Sequence, residues 1–162
     1  MEQTSHAGPE HERRWLEGLV GEWRYESEAG APGQPTTRDT GTERVRVLGG
    51  GWVACEGQGD AAEGGLGSTL MTLAFDPERG RVVGAVVATM MTFLWVYDGT
   101  LGADGVLTLE TEGPSLVREG EMGRYRDTIA FDGPDRRVQT SSFLDGHGRW
   151  QRFMTTEYER TR

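Results

Sequence analysis

Gly21-Glu22-Trp23-Arg24-Tyr25-Glu26 marks the point where the hydrophobic period of this chain changes. Before it, Trp15, Leu16, Leu19 and Val20 fall on one stripe at helical spacing. From Glu22 onward the period is two: Trp23 and Tyr25 share one face, and Arg24, Glu26 and Glu28 take the other. Upstream, Gly8-Pro9 puts a proline at the first helical position, with Glu10 and Glu12 in the first turn and Gly21 as the stop. The pattern predicts a helix from Pro9 to Val20, preceded by a disordered tail over 1–7. One greasy stripe on so short a helix has to cover something, a barrel end or a sheet edge.

Downstream, alternating segments continue to the last few residues. Turn chemistry separates them: Gly30-Ala31-Pro32-Gly33, Gly49-Gly50-Gly51, Asp76-Pro77-Glu78-Arg79-Gly80, Asp132-Gly133-Pro134-Asp135 and Asp145-Gly146-His147-Gly148. The stretch from Trp52 to Gly57 is a strand, and a Gly- and Ala-rich loop follows to Gly65. About ten strands result, joined in sequence by short loops. An open sheet of that size leaves two exposed edges, and closure removes them. The reading is therefore all-β: an antiparallel up-and-down barrel of about ten strands with a short N-terminal helix, one domain over 8–162. A sandwich is the alternative, because alternation alone does not separate the two. A barrel this wide is not readily filled by its own side chains.

Composition narrows the function classes. The formal net charge is −9, from 26 acidic and 17 basic residues, which disfavours nucleic acid and anionic membranes. Cys55 is the single cysteine, so an internal disulfide is impossible. The first residues are polar and no apolar run approaches a membrane span; a soluble, cytoplasmic protein is expected.

Several landmarks together resemble the DUF1579 family, a domain of unknown function. They are Leu19-Val20-Gly21-Glu22-Trp23, Leu48-Gly49-Gly50-Gly51-Trp52-Val53, Phe75-Asp76-Pro77, Tyr125-Arg126-Asp127, and Phe153-Met154 followed by Tyr158 and Arg160. The likeness spans roughly Glu10 to Arg160. It implies a calycin-like (lipocalin-like) barrel and lends no activity and no catalytic residues. In calycins generally, the Trp of a Gly-x-Trp packs under an Arg of the last strand and closes one barrel end. By position the resemblance assigns those roles to Trp23 and Arg160, with Arg152 as second choice. The nitrobindin-like haem proteins, a related calycin group, ligate iron through a His near the C-terminus. Here the histidines are His6, His11 and His147, none in a strand of the C-terminal hairpin. No haem, other cofactor or metal is expected.

No nucleophile elbow, phosphate-binding loop or paired-cysteine zinc site is present. Gly57-Gln58-Gly59 has the look of a dinucleotide fingerprint but leads into a loop and a strand, not a helix. His147 sits in a turn, where a solvated loop histidine is the simpler reading than a pairing with Ser141 or Ser142. Trp52, Glu56, Met90, Phe93, Trp95, Tyr97, Trp150 and Met154 are candidates to line a cavity and bind a ligand, with Met91 adjoining. They serve equally well as core or as a dimer face. Glu56 shares a face with Trp52, and Asp127 shares one with Tyr125, opposite Arg126. These four, Glu56, Tyr125, Arg126 and Asp127, are the candidates for acid–base work. Three functions follow in order of weight: a carrier or sensor binding a small, largely apolar molecule; a cofactor-free cyclase or isomerase acting inside the barrel; and a scaffold or homodimer.

Overall fold

The computed structural model describes residues 9–60 and 67–162. The tail expected over 1–7 and most of the Gly- and Ala-rich loop before Gly65 lie outside the described residues. Among the described residues, one helix, α1 (Pro9–Glu17), precedes ten strands: β1 (Gly21–Ala29), β2 (Thr37–Gly49), β3 (Trp52–Gly59), β4 (Ser68–Asp76), β5 (Arg81–Ala88), β6 (Met91–Leu101), β7 (Leu107–Pro114), β8 (Met122–Phe131), β9 (Arg136–Leu144) and β10 (Trp150–Arg160). Each strand pairs antiparallel with its sequence neighbours, and β1 also pairs with β10, so the sheet is a closed barrel without free edges at its ends. The barrel expected from the sequence is what forms, and the sandwich alternative is set aside.

The helix stops three residues before the expected Val20. Its last turn tightens: Leu19 N donates to Leu16 O at 3.0 Å and Val20 N to Glu17 O at 3.1 Å. That i→i+3 pattern satisfies terminal carbonyls and turns the chain into β1. Leu16 and Leu19 are nonetheless fully buried, so the apolar stripe does its work across both segments. Trp15 docks the helix onto the barrel, its indole N–H donating to Gly105 O at 2.9 Å and its ring lying edge-on to Phe131 at 5.0 Å.

The barrel is closed at this end by a stacked pair. Trp23 is 1% exposed, and its Nε1 donates to Leu19 O at 2.8 Å. Strand register sets Trp23 opposite Arg160 on β10, and the Arg160 guanidinium lies 4.2 Å from the indole centroid. Arg160 also donates to the backbone oxygens of Val20 at 2.5 Å and Gly18 at 2.8 Å, tying the helix exit to the last strand.

Inward rows change character along the strands. On β8 the order from the closed end is Ile129, Asp127, Tyr125; on β7 it is Leu107, Leu109, Thr111; on β4 it is Leu73, Met71, Thr69. The closed half is thus aliphatic and packed, with Leu73, Leu107, Leu109 and Ile129 all at 0% exposure. The other half carries aromatic, Met and polar side chains, and it is not filled.

Candidate functional site

A cavity of about 280 Å³ occupies that half and opens at the end opposite α1. Such a volume is near the lower end for small-molecule sites. Its apolar wall includes Met71, Val86, Trp95, Phe153 and Met154, with Met90, Met91 and Leu116 nearer the rim. All four tyrosines of the chain, Tyr25, Tyr97, Tyr125 and Tyr158, line it.

Two local devices make this room. A side chain at Gly113 would place its Cβ 2.0 Å from the Trp95 ring, and one at Gly41 would lie 2.4 Å from the Tyr25 hydroxyl. Glycine is required at both because an aromatic ring takes the space. On β10, register slips between Arg152 and Met154, leaving Phe153 as an extra residue. This bulge turns Phe153 and Met154 both toward the cavity.

The same bulge explains where part of the expected lining lies. Trp150 and Met154 would share a face in a regular strand. Here Trp150 is on the outer side, under the Arg126 guanidinium at 4.1 Å. Arg126 likewise faces outward, paired to Glu110 at 2.9 Å. Trp52 and Glu56 do share a face, but it is the outer one: Trp52 is 38% exposed and Glu56 pairs with Arg46 at 3.1 Å. Phe93 packs edge-on behind Trp95 at 4.9 Å without reaching the cavity. Met90, Trp95, Tyr97, Tyr125, Asp127 and Met154 are brought together on the cavity wall. His11 is exposed on α1 and His147 is exposed in the β9–β10 turn. Among the described residues, no group of three or more His, Cys, Asp or Glu is placed to hold a metal ion.

The polar interior forms two layers. The deeper one is an ion pair: Arg137, 0% exposed, donates to Glu43, 6% exposed. Its second nitrogen donates to Gln139 Oε1 at 2.7 Å. The guanidinium lies 3.8 Å from the Tyr158 centroid and 4.7 Å from that of Trp23. Arg137 is opposite Tyr158 in register, and Tyr158 is opposite Tyr25, so the layer is a row across three adjacent strands. Trp23 is therefore flanked by two arginines, of which Arg160 was legible by position and Arg137 was not.

Nearer the mouth, the Tyr97 hydroxyl donates to Asp127 Oδ2, and Ser141 also hydrogen-bonds this carboxylate. The exposed part of Asp127 belongs to the cavity wall and not to the outer surface. Burial pushes its carboxyl above the ordinary value, against the two hydroxyl donors that favour the charged form. Tyr97 is held well above 10.0, first by burial and then by the Asp127 charge. Tyr125 anchors the rim: its hydroxyl donates to Pro114 O at 2.6 Å and accepts from Leu116 N at 3.0 Å.

Tyr158 is likewise well above 10.0 through burial and the Glu43 charge, and burial raises Tyr25 and Tyr125. Folded values above the unfolded one give stability that is intact below pH 10.0 and declines as pH rises toward the folded values. Tyrosinate absorbance in an alkaline titration is thus expected to appear together with loss of the β-sheet circular dichroism, in one cooperative step. A gradual rise centred on the ordinary tyrosine value, with the sheet intact, would show that water ionises these rings in place.

Fold and site together define a calycin-like barrel with a half-filled interior. The chain belongs to the DUF1579 family, whose model, "Protein of unknown function (DUF1579)", matches residues 8–160. No curated protein matches it. Among solved structures it is similar to Rv2717c from M. tuberculosis, at 18% identity and a TM-score of 0.65, covering 92% of this chain and 96% of that one. It is similar also to the S-type phycobiliprotein lyase CPES from Guillardia theta, at 18% identity and a TM-score of 0.58, covering 95% and 97%. Both likenesses extend to the fold.

Proposed function

We propose that this protein binds a small, largely apolar molecule in the barrel cavity, as a carrier or sensor. The observation that carries the reading is the half-empty interior: a space of about 280 Å³, open at one end and walled by Trp, Phe, Tyr and Met. A barrel that served only as a scaffold would gain stability by filling that space. Met side chains suit a wall that adapts to its guest. That a barrel of the same fold is named a phycobiliprotein lyase supports small-molecule binding in the broad sense.

The test uses the neutral fluorophore N-phenyl-α-naphthylamine. The parent protein is expected to enhance its emission saturably, and Ala88→Trp, which places an indole on the cavity wall, to abolish this while the fold is retained. Failure of the parent to bind, or binding unchanged in Ala88→Trp, overturns the reading.

Acid–base catalysis inside the barrel is a second reading, favoured by one observation: Asp127 faces the cavity with a raised pKa and hydrogen-bonds Tyr97. Glu56 and Arg126, on the outer face, take no part in it.

A further inference from the structure

We propose, building on the cavity-binding reading, that the guest is an organic cation: an amine whose ammonium seats against Asp127 and whose apolar body lies between Trp95, Phe153 and Met154. Among the described residues, two carboxylates line the cavity, Glu43 and Asp127, and no basic residue does. The buried Arg137 lies below, committed to Glu43 and Gln139 and stacked on Tyr158. Arg160 is spent on backbone carbonyls at the closed end. Among the described residues, Asp127 has hydroxyl partners but no cationic one.

A buried carboxylate without a countercharge is costly. That cost shows as the upward shift of its pKa, caused first by burial. A guest ammonium supplies the missing charge and makes a charge-assisted hydrogen bond. It also needs a further acceptor. Thr111 Oγ1 is buried on the same wall and, among the described residues, has no hydrogen-bond partner. Register puts Thr111 opposite Tyr125, one inward position nearer the mouth than Asp127. An ammonium over Asp127 would therefore meet a free hydroxyl oxygen on its mouth side.

The surroundings favour the same sign. Tyr97, Tyr125 and Trp95 present π-systems that attract cations. The formal net charge of −9 draws cations toward the molecule and repels anions. An anionic guest would enter between two carboxylates and meet, among the described lining residues, hydroxyl and amide donors but no cationic side chain.

Three compounds sharing one ring isolate the charge: α-naphthylmethylamine, α-naphthylmethanol and α-naphthoate, titrated calorimetrically into the parent and into Asp127→Asn. The amine is expected to bind the parent about tenfold or more tighter than the alcohol, with the acid weakest. In Asp127→Asn the amine's advantage is expected to vanish while the alcohol's affinity changes little. An amine no better than the alcohol, a preference for the acid, or an advantage that survives in Asp127→Asn overturns the proposal. The parent series is decisive even if Asp127→Asn fails to fold. If N-phenyl-α-naphthylamine binds and Ala88→Trp blocks it, but the amine has no advantage, the cavity reading stands and this proposal falls. If none of the four compounds binds, both fall.

Discussion

Replacing Arg137 with alanine is expected to cost about 3–5 kcal/mol, the range for removing one partner of a buried ion pair. That is a large share of the ~5–15 kcal/mol by which a domain of this kind is stable. Three losses combine. Glu43, only 6% exposed, is left with an uncompensated charge. The guanidinium no longer fills the space beside Tyr158 and Trp23. Gln139 Oε1 loses its donor. Two companion variants separate these effects. Arg137→Met keeps most of the stem volume, so its deficit relative to the parent is chiefly electrostatic. Adding Glu43→Gln to Arg137→Met removes the orphaned charge and is expected to recover much of that deficit, because a buried pair replaced on both sides is often near neutral. Urea midpoints at constant m-value measure all three. A single Arg137→Ala variant within about 1 kcal/mol of the parent would mean that water entering from the cavity solvates Glu43.

Arg137 also shows where reading the chain as a string of letters stops. On β9 the alternate residues are Arg137, Gln139, Ser141 and Phe143, and all four face inward. Three polar residues in a period-two row ordinarily describe a solvent face. Only the closure of the barrel, which sets β9 beside β10 and three strands from β2, brings a carboxylate and a tyrosine ring to that arginine. Closure itself was legible, because its evidence is local: turn residues between alternating runs, a Gly-x-Trp, and an arginine near the end of the last strand.

Which residues share a face was equally legible, and which face is inside was not. Trp52 and Glu56 do lie together, as do Tyr125 and Asp127, yet the first pair is outside and the second inside. Nothing in the alternation marks that difference. A bulge breaks even the parity rule: with Phe153 inserted, Trp150 and Met154 part company. The Tyr97–Asp127 contact joins β6 to β8, strands that do not pair with each other, so it depends on side chains reaching across the interior.

Trp23→Ala is expected to destabilise by about 3–5 kcal/mol, the cost of removing a large aromatic from a packed site. Trp23 is among the most buried side chains, and it does three things at once. It fills the closed end of the barrel, it donates to Leu19 O at the helix exit, and it supplies the ring on which two guanidinium groups lie. Deleting it opens a void between Leu16, Leu19 and the strands, and leaves the Arg137 and Arg160 stacks without a floor. Arg160→Ala is expected to be milder, about 1–3 kcal/mol. The stack contributes ~0.5–2 kcal/mol, and the charge-assisted bonds to Val20 O and Gly18 O add to it. Those two carbonyls lie at the surface end of the barrel, where water can take over from the lost donor. Combining the two substitutions should therefore cost less than their sum, because the Arg160 stack has already lost its ring in Trp23→Ala. Denaturation midpoints of the two single variants and the double variant test this directly. If Trp23→Ala unfolds near the parental midpoint, or if Arg160→Ala proves the more damaging, the closed end is held by the arginine's backbone bonds and not by the packed indole.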